Sequence, residues 1–234
     1  METTISDSTG FSGKVSLNKI MLICGILSSL LYVALTIIGA MQWEGYSPTS
    51  QTVSELFAID APSRSIVILL MLTYSILMIA FGLGVWRSSG RKRALRIVAG
   101  LLVGKEVLGI VGTLFAPMHL RGVEGTITDA MHAIITGVGV LLLLLTLGFG
   151  ATVFGRRFRL YSIGTILILC VFGALSGLAG PQLAANLPTP WMGVWERINI
   201  FSYMLWVVVL AIILLRAEKE SGSIKATMPD QTQL

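Results

Sequence analysis

Nine ionisable residues in this chain stand where ordinary surface solvation does not explain them. Lys105 and Glu106 interrupt an apolar run from Gly100 to Val111. If that run crosses a membrane, each unpaired charge costs at least ~2.5 kcal/mol, so both require partners. Adjacent residues on a helix point about 100° apart, which predicts partners on other helices rather than a direct pair. A carboxylate and an ammonium at such a depth suit a proton or ion relay, or a counter-ion for a charged ligand. The structural alternative is a polar clasp between helices.

A second group surrounds the segment Pro117-Met118-His119-Leu120-Arg121-Gly122 and the following Thr128-Asp129-Ala130-Met131-His132. These are the only two histidines of the chain. Asp129 and His132 lie three apart and share one helix face. With His119 they make a three-ligand set suited to zinc, for which Glu55 or Glu196 would act as base toward a metal-bound water. That chemistry belongs to an intramembrane metal-dependent hydrolase of a lipid-type substrate. The spacing matches no established metal motif, and a structural reading competes with it. In that reading Thr126 or Thr128 caps a helix, Asp129 complements its dipole, and His132 hydrogen-bonds at an interface.

A third group lies in two further connections. Thr52 to Glu55 fits a capping box that opens a short turn, and Ser54 lacks the flanking glycines of a nucleophile elbow. Glu196 and Arg197 follow Pro188-Thr189-Pro190-Trp191-Met192-Gly193-Val194-Trp195. Thr189 as cap and Pro190 as first helical residue would place both charges about two turns into a helix. Arg64, Arg121 and Asp129 are their candidate partners.

The elements that must position these residues follow from composition. Of 234 residues 54% are hydrophobic and 12% charged, against roughly 25% charged in a soluble domain. A soluble enzyme is excluded. Spanning helices need about 20 apolar residues, because hydrocarbon leaves backbone groups no partner but one another. Six such runs occur, at 20–41, 64–86, 97–116, 130–154, 160–180 and 198–215, which predicts an all-α integral membrane bundle. Residues 1–19 precede it, and the polar tail 216–234 is expected to be disordered. Cys24 and Cys170 both fall inside apolar runs, so no disulfide framework or Cys-type zinc site is available.

Charge sets the orientation. Lys14, Lys19, Arg87, Arg91, Lys92, Arg93, Arg96, Arg156, Arg157, Arg159, Arg216, Lys219 and Lys225 lie on the side of the termini and short connections. The opposite side carries Arg64, Arg121 and Arg197 against Glu44, Glu55, Asp60, Glu124, Asp129 and Glu196. By the positive-inside rule both termini are cytoplasmic. The net charge of +5 is thus a topology signal and not a nucleic-acid footprint. The polar, charged start and the absence of a small-residue cleavage site make the first apolar run a span and not a signal peptide. Trp43, Tyr46, Trp191 and Trp195 form an outer aromatic belt, and all prolines but Pro229 fall in or beside the outer connections. The GxxxG pairs Gly100/Gly104 and Gly173/Gly177 suggest close helix approach, with the third span central.

Several segments in order resemble one family: Ser-Gln-Thr-Val-Ser-Glu-Leu after the first run, the Pro-Met-His-Leu-Arg-Gly and Thr-Asp-Ala-Met-His segments, Arg-Phe-Arg-Leu-Tyr-Ser before the fifth run, and Pro-Thr-Pro-Trp-Met-Gly-Val-Trp-Glu-Arg before the sixth. Over about residues 18–216 the chain resembles the prokaryotic membrane proteins grouped as Domain of Unknown Function 998. The resemblance implies a six-helix membrane protein and no activity. From the residues themselves, the expected function is non-enzymatic: binding of a small molecule or lipid headgroup in an outer polar pocket lined by Glu55, His119, Arg121, Asp129, His132, Glu196 and Arg197. No cofactor is expected in that reading, and zinc enters only with the hydrolase. A small proton-coupled transporter using Lys105 and Glu106 is the third reading.

Overall fold

The computed structural model describes residues 16–227, with side chains to Glu220. Residues 1–15 and 228–234 of the expected terminal segments lie outside the described residues. The long helices are α1 (Leu17–Met41), α2 (Arg64–Arg87), α3 (Arg93–Phe115), α4 (Ile127–Gly150), α5 (Arg156–Leu178) and, after a short α6 (Gly180–Ala184), α7 (Met192–Thr227). A 3₁₀ turn, Ser54–Phe57, stands between α1 and α2, and no strand occurs among the described residues. Among the described residues six helices are long and apolar enough to cross a membrane, as backbone satisfaction in hydrocarbon demands.

The helices close a ring. α1 packs on α2, α2 on α3, α3 on α4, α4 on α5, α5 on α7, and α7 back on α1. The third span is therefore one member of the ring and not its centre. Core side chains fill the ring from several members, among them Tyr32 and Leu35 of α1, Tyr74, Met78 and Phe81 of α2, Leu102 of α3, and Tyr203, Trp206 and Leu210 of α7. Trp206 is fully buried and donates from Nε1 to Ser162 Oγ at 2.9 Å.

Close approach falls at other glycines than the sequence pairs suggest. A Cβ at Gly25 would lie 2.6 Å from the Phe81 ring, and one at Gly150 would overlap Trp206. At Gly100, Gly104 and Gly177 it would meet nothing within 4 Å, and at Gly173 only Asn199 at 3.6 Å. The GxxxG pairs are thus not packing seams here. Spacing places two glycines on one face but does not say what that face meets.

The last helix runs past position 215, where the apolar pattern stops, through Thr227. Arg216-Ala217-Glu218-Lys219-Glu220 are strong helix formers. Glu218 gives the extension a tertiary anchor, accepting from Ser16 Oγ at 2.6 Å and from Asn18 Nδ2 at 3.3 Å. Asn18 Nδ2 also donates to Ser88 Oγ at 2.9 Å. These contacts fasten the start of α1, the end of α2 and α7 together on the face that carries the short connections.

Overpacking a filled site costs about 1–3 kcal/mol, so Gly150→Val should lower the thermal midpoint of the detergent-solubilised protein, read by tryptophan fluorescence. Gly104→Ala, into open space, should leave it unchanged or raise it.

Candidate functional site

The polar residues gather on the face that carries the long connections, 42–63, 116–126 and 179–191. The first connection supplies the centre. Thr52 and Glu55 form the expected capping box: the Thr52 amide donates to Glu55 Oε2 at 2.7 Å, and the Glu55 amide to Thr52 Oγ1 at 3.3 Å. The turn buries Glu55 completely, at 0% exposure. A carboxylate removed from water needs a countercharge, and the second connection delivers it. Arg121 meets Glu55 through two parallel bonds, Nε to Oε1 at 2.7 Å and Nη2 to Oε2 at 2.8 Å.

Arg121 does more than neutralise Glu55. Its Nη2 also donates to the Ser50 carbonyl and its Nη1 to Thr189 Oγ1, both at 3.2 Å. Thr189 in turn donates to the Ser50 carbonyl at 3.0 Å. One guanidinium thus joins all three long connections, and its pKa is raised by the hydrogen bonds to Glu55. Thr189, read from sequence as a helix cap, is instead part of this junction, and α7 starts at Met192.

Glu196 and Arg197 grip the first connection from α7. Glu196 Oε2 accepts a short hydrogen bond from the Val53 amide. Arg197 Nη1 donates to the carbonyls of Pro48 at 2.7 Å and of Gln51 and Gly193 at 3.0 Å, and Nη2 to Tyr46 Oη at 2.7 Å. Burial pushes the Tyr46 hydroxyl up to about 12; it stays protonated and donates to the Thr52 carbonyl at 2.7 Å. The partners are backbone groups of the first connection, the Tyr46 hydroxyl and the Gly193 carbonyl, and not the charged side chains Arg64, Arg121 and Asp129 expected from sequence. Arg64 donates to the Phe57 carbonyl at 2.9 Å. Gly193 is required here, because a Cβ would collide with the carbonyl oxygens of Gln51 and Pro48.

His119 and Asp129 come together, but His132 does not join them. The His119 amide donates to Asp129 Oδ1 at 2.7 Å, and His119 Nδ1 lies 2.8 Å from Oδ2. The same carboxylate completes a capping box at the start of α4, accepting from the Thr126 amide at 2.8 Å. His132 turns Nδ1 to the Ala116 carbonyl at 3.0 Å. A carbonyl only accepts, so Nδ1 carries the proton. Among the described residues no three His, Cys, Asp or Glu side chains gather as a metal-holding group. The sequence places Asp129 and His132 on one face correctly, but each is drawn to a different backbone segment.

The seven residues expected to line a pocket therefore mostly satisfy one another and the connections. Of them, Arg197 faces a groove of about 530 Å³ lined also by Pro48, Thr49, Val194, Ile198, Phe201, Ser202 and Leu205. Its wall is apolar but for Arg197 and two hydroxyls.

The second site lies within the bundle. Lys105 Nζ and Glu106 Oε1 are 2.5 Å apart, a direct pair that the angular argument had excluded. The four-carbon stem of the lysine is long enough to fold back across that angle. Glu106 also accepts from Tyr74 Oη at 3.3 Å and Ser75 Oγ at 3.2 Å. Tyr74 and Tyr203 belong to the site although no sequence argument singled them out. Their signal is visible in retrospect: both are tyrosines in mid-span, far from the interfacial belts where such rings usually anchor.

A family model described as "Protein of unknown function (DUF998)" matches residues 26–213. The chain belongs to that family, and it is a multi-pass membrane protein of the helical-bundle type. No curated protein and no solved structure matches it.

Truncating one partner of a buried ion pair strands the other, at about 3–5 kcal/mol. Arg121→Gln should therefore depress the melting midpoint in detergent strongly, and adding Glu55→Gln to it should restore part of the loss.

Proposed function

We propose that this chain is a non-enzymatic protein of the prokaryotic cytoplasmic membrane, with both termini inside, that binds a lipid headgroup or a similar small anion at its outer face. The observation that carries this reading is the groove under Arg197. Pro48 and Thr49 stand at its upper end, beside the guanidinium, and Ile198, Phe201 and Leu205 continue down α7 as an apolar wall. That sequence of polarity is the one a phospholipid presents, with its charge at the interface and its acyl chain below. Arg197 commits Nη1 and Nη2 to the first connection, and among the described residues its Nε–H has no partner. A phosphate or carboxylate oxygen suits that donor.

The remaining candidate residues serve this reading as supports. Glu55 and Arg121 fix the first connection, whose Pro48 and Thr49 form the groove's upper end. Glu196 fixes the height of α7 against the same connection. His119, Asp129 and His132 hold the second connection, which brings Arg121 into place. The bilayer itself supplies the ligand class, so no diffusing partner is needed to fill the groove.

Mass spectrometry of intact protein released from membranes of mixed phosphatidylglycerol and phosphatidylcholine tests this. It is done with Arg156→Gln and Arg157→Gln in place, so that the basic surface on the other face does not contribute. The parent should retain phosphatidylglycerol in preference, and Ser202→Trp, which fills the groove, should lose one equivalent. Equal retention by the two proteins would contradict the reading.

A further inference from the structure

The Lys105 ammonium occupies an enclosure that has the parts of an amine receptor. Glu106, 2% exposed, forms its floor. The Tyr74 ring lies 5.9 Å from Nζ and the Tyr203 ring 5.5 Å, both within cation–π range. Tyr32 steadies the first wall, meeting Tyr74 edge to face at 5.0 Å. Four helices thus contribute to one ammonium-sized space at mid-depth: α1, α2, α3 and α7.

One feature exceeds what a structural ion pair requires: polar atoms continue beyond the pair without partners. Lys105 itself keeps 18% of its side chain exposed while Glu106 keeps 2%. The Tyr203 hydroxyl is buried and unpartnered on a residue 1% exposed, and Asn199 Oδ1, one turn away on the same face of α7, is likewise buried and unpartnered. Ser176 Oγ of α5 is a third such atom. Gly173, three residues before it, faces the Asn199 amide. In hydrocarbon such groups are stable only where something polar comes to meet them. Asn199 Oδ1 can only accept, and the tyrosine and serine hydroxyls accept as well as donate, so a group carrying several N–H donors suits the oxygens gathered there.

We propose that this enclosure is a binding site for a small protonated primary amine, that Lys105 is its resident occupant, and that the arriving amine displaces it. A primary ammonium offers three donors, for Glu106 and the oxygens along α7. The charge must balance. The enclosure holds one negative carboxylate, and a second cation in the membrane interior is not tolerated. The incoming R–NH₃⁺ therefore takes the place of the Lys105 ammonium at Glu106, and Lys105 gives up one proton and swings out as the neutral amine. Bound charge is unchanged: one ammonium enters and one proton leaves. The titratable groups around the site are Glu106 on α3, Tyr32 on α1, Tyr74 on α2 and Tyr203 on α7. Glu196 and Arg197 lie about two turns further along α7, α5 brings only the exposed Cys170 near that depth, and the titratable residues of α4, Asp129 and His132, stand in its first two turns at the far end of the helix. Lys105 is thus the one group there able to release a proton without leaving an uncompensated charge. This inference is independent of the lipid groove.

The test is titration calorimetry of the detergent-solubilised full chain with n-butylammonium, in two buffers of different protonation enthalpy. The wild type should bind and release about one proton per amine, and its affinity should fall about tenfold for each unit by which the pH is lowered. Lys105→Met keeps the volume of the stem and removes the competing ammonium; it should bind the amine more tightly than the wild type. Glu106→Gln should abolish binding. Failure of the wild type to bind, or binding with no proton released, overturns the proposal without recourse to any variant. So does a Lys105→Met protein that melts cooperatively and does not bind.

Discussion

Glu55 is a carboxylate with no access to water, placed in a connection that has only 3₁₀ structure of its own. Withdrawing such a charge costs several kcal/mol unless a partner in good geometry answers it. Arg121 does so through a bidentate pair 66 positions away in sequence. Because the same guanidinium reaches the Ser50 carbonyl and Thr189, satisfying one charge fixes the relative positions of three connections. The helices below inherit that arrangement. α7 is further held in height by Glu196 and Arg197, which bond to backbone of the connection that Glu55 organises. Asp129 plays a lesser version of the same part, serving both as cap of α4 and as receiver for His119.

The two polar sites answer the membrane in different ways. At the long-loop face charges are consumed by connections, and what remains for a ligand is the edge of one arginine above an apolar groove. Inside the ring the charge is balanced by a neighbour on the same helix and enclosed by aromatic rings contributed by other helices. Ring walls suit a cation and a guanidinium suits an anion, so the two ligands proposed are of opposite sign. Both depend on α7, which supplies Arg197 to the first and Tyr203 to the second, six residues apart and so on different parts of its circumference.

Much of the scaffold is legible in the sequence because the bilayer permits few solutions. Apolar runs of about 20 residues have to be helices, and six of them are. Local motifs are legible for a similar reason: Thr52 with Glu55, and Thr126 with Asp129, bond within one turn, where spacing determines geometry. The pairing of Glu55 with Arg121 is not legible, since nothing local to either residue names the other. The turning of His132 away from His119 is hidden too, because a backbone carbonyl, which every residue carries, won the imidazole. Lys105 with Glu106 fails for a different reason. The angular rule describes where Cβ atoms point and ignores the reach of a long flexible stem. Gly100 and Gly104 mislead because a helix face without side chains is equally compatible with a packed seam and with open space.

The central claim is that one guanidinium joins the three long connections. Hydrogen–deuterium exchange of the amides in 42–63, 116–126 and 179–191 measures it most directly, in wild type and in Arg121→Gln. The account predicts that all three connections lose protection together, with helices away from that face unchanged. Loss confined to 116–126, the segment that carries the substitution, would contradict it.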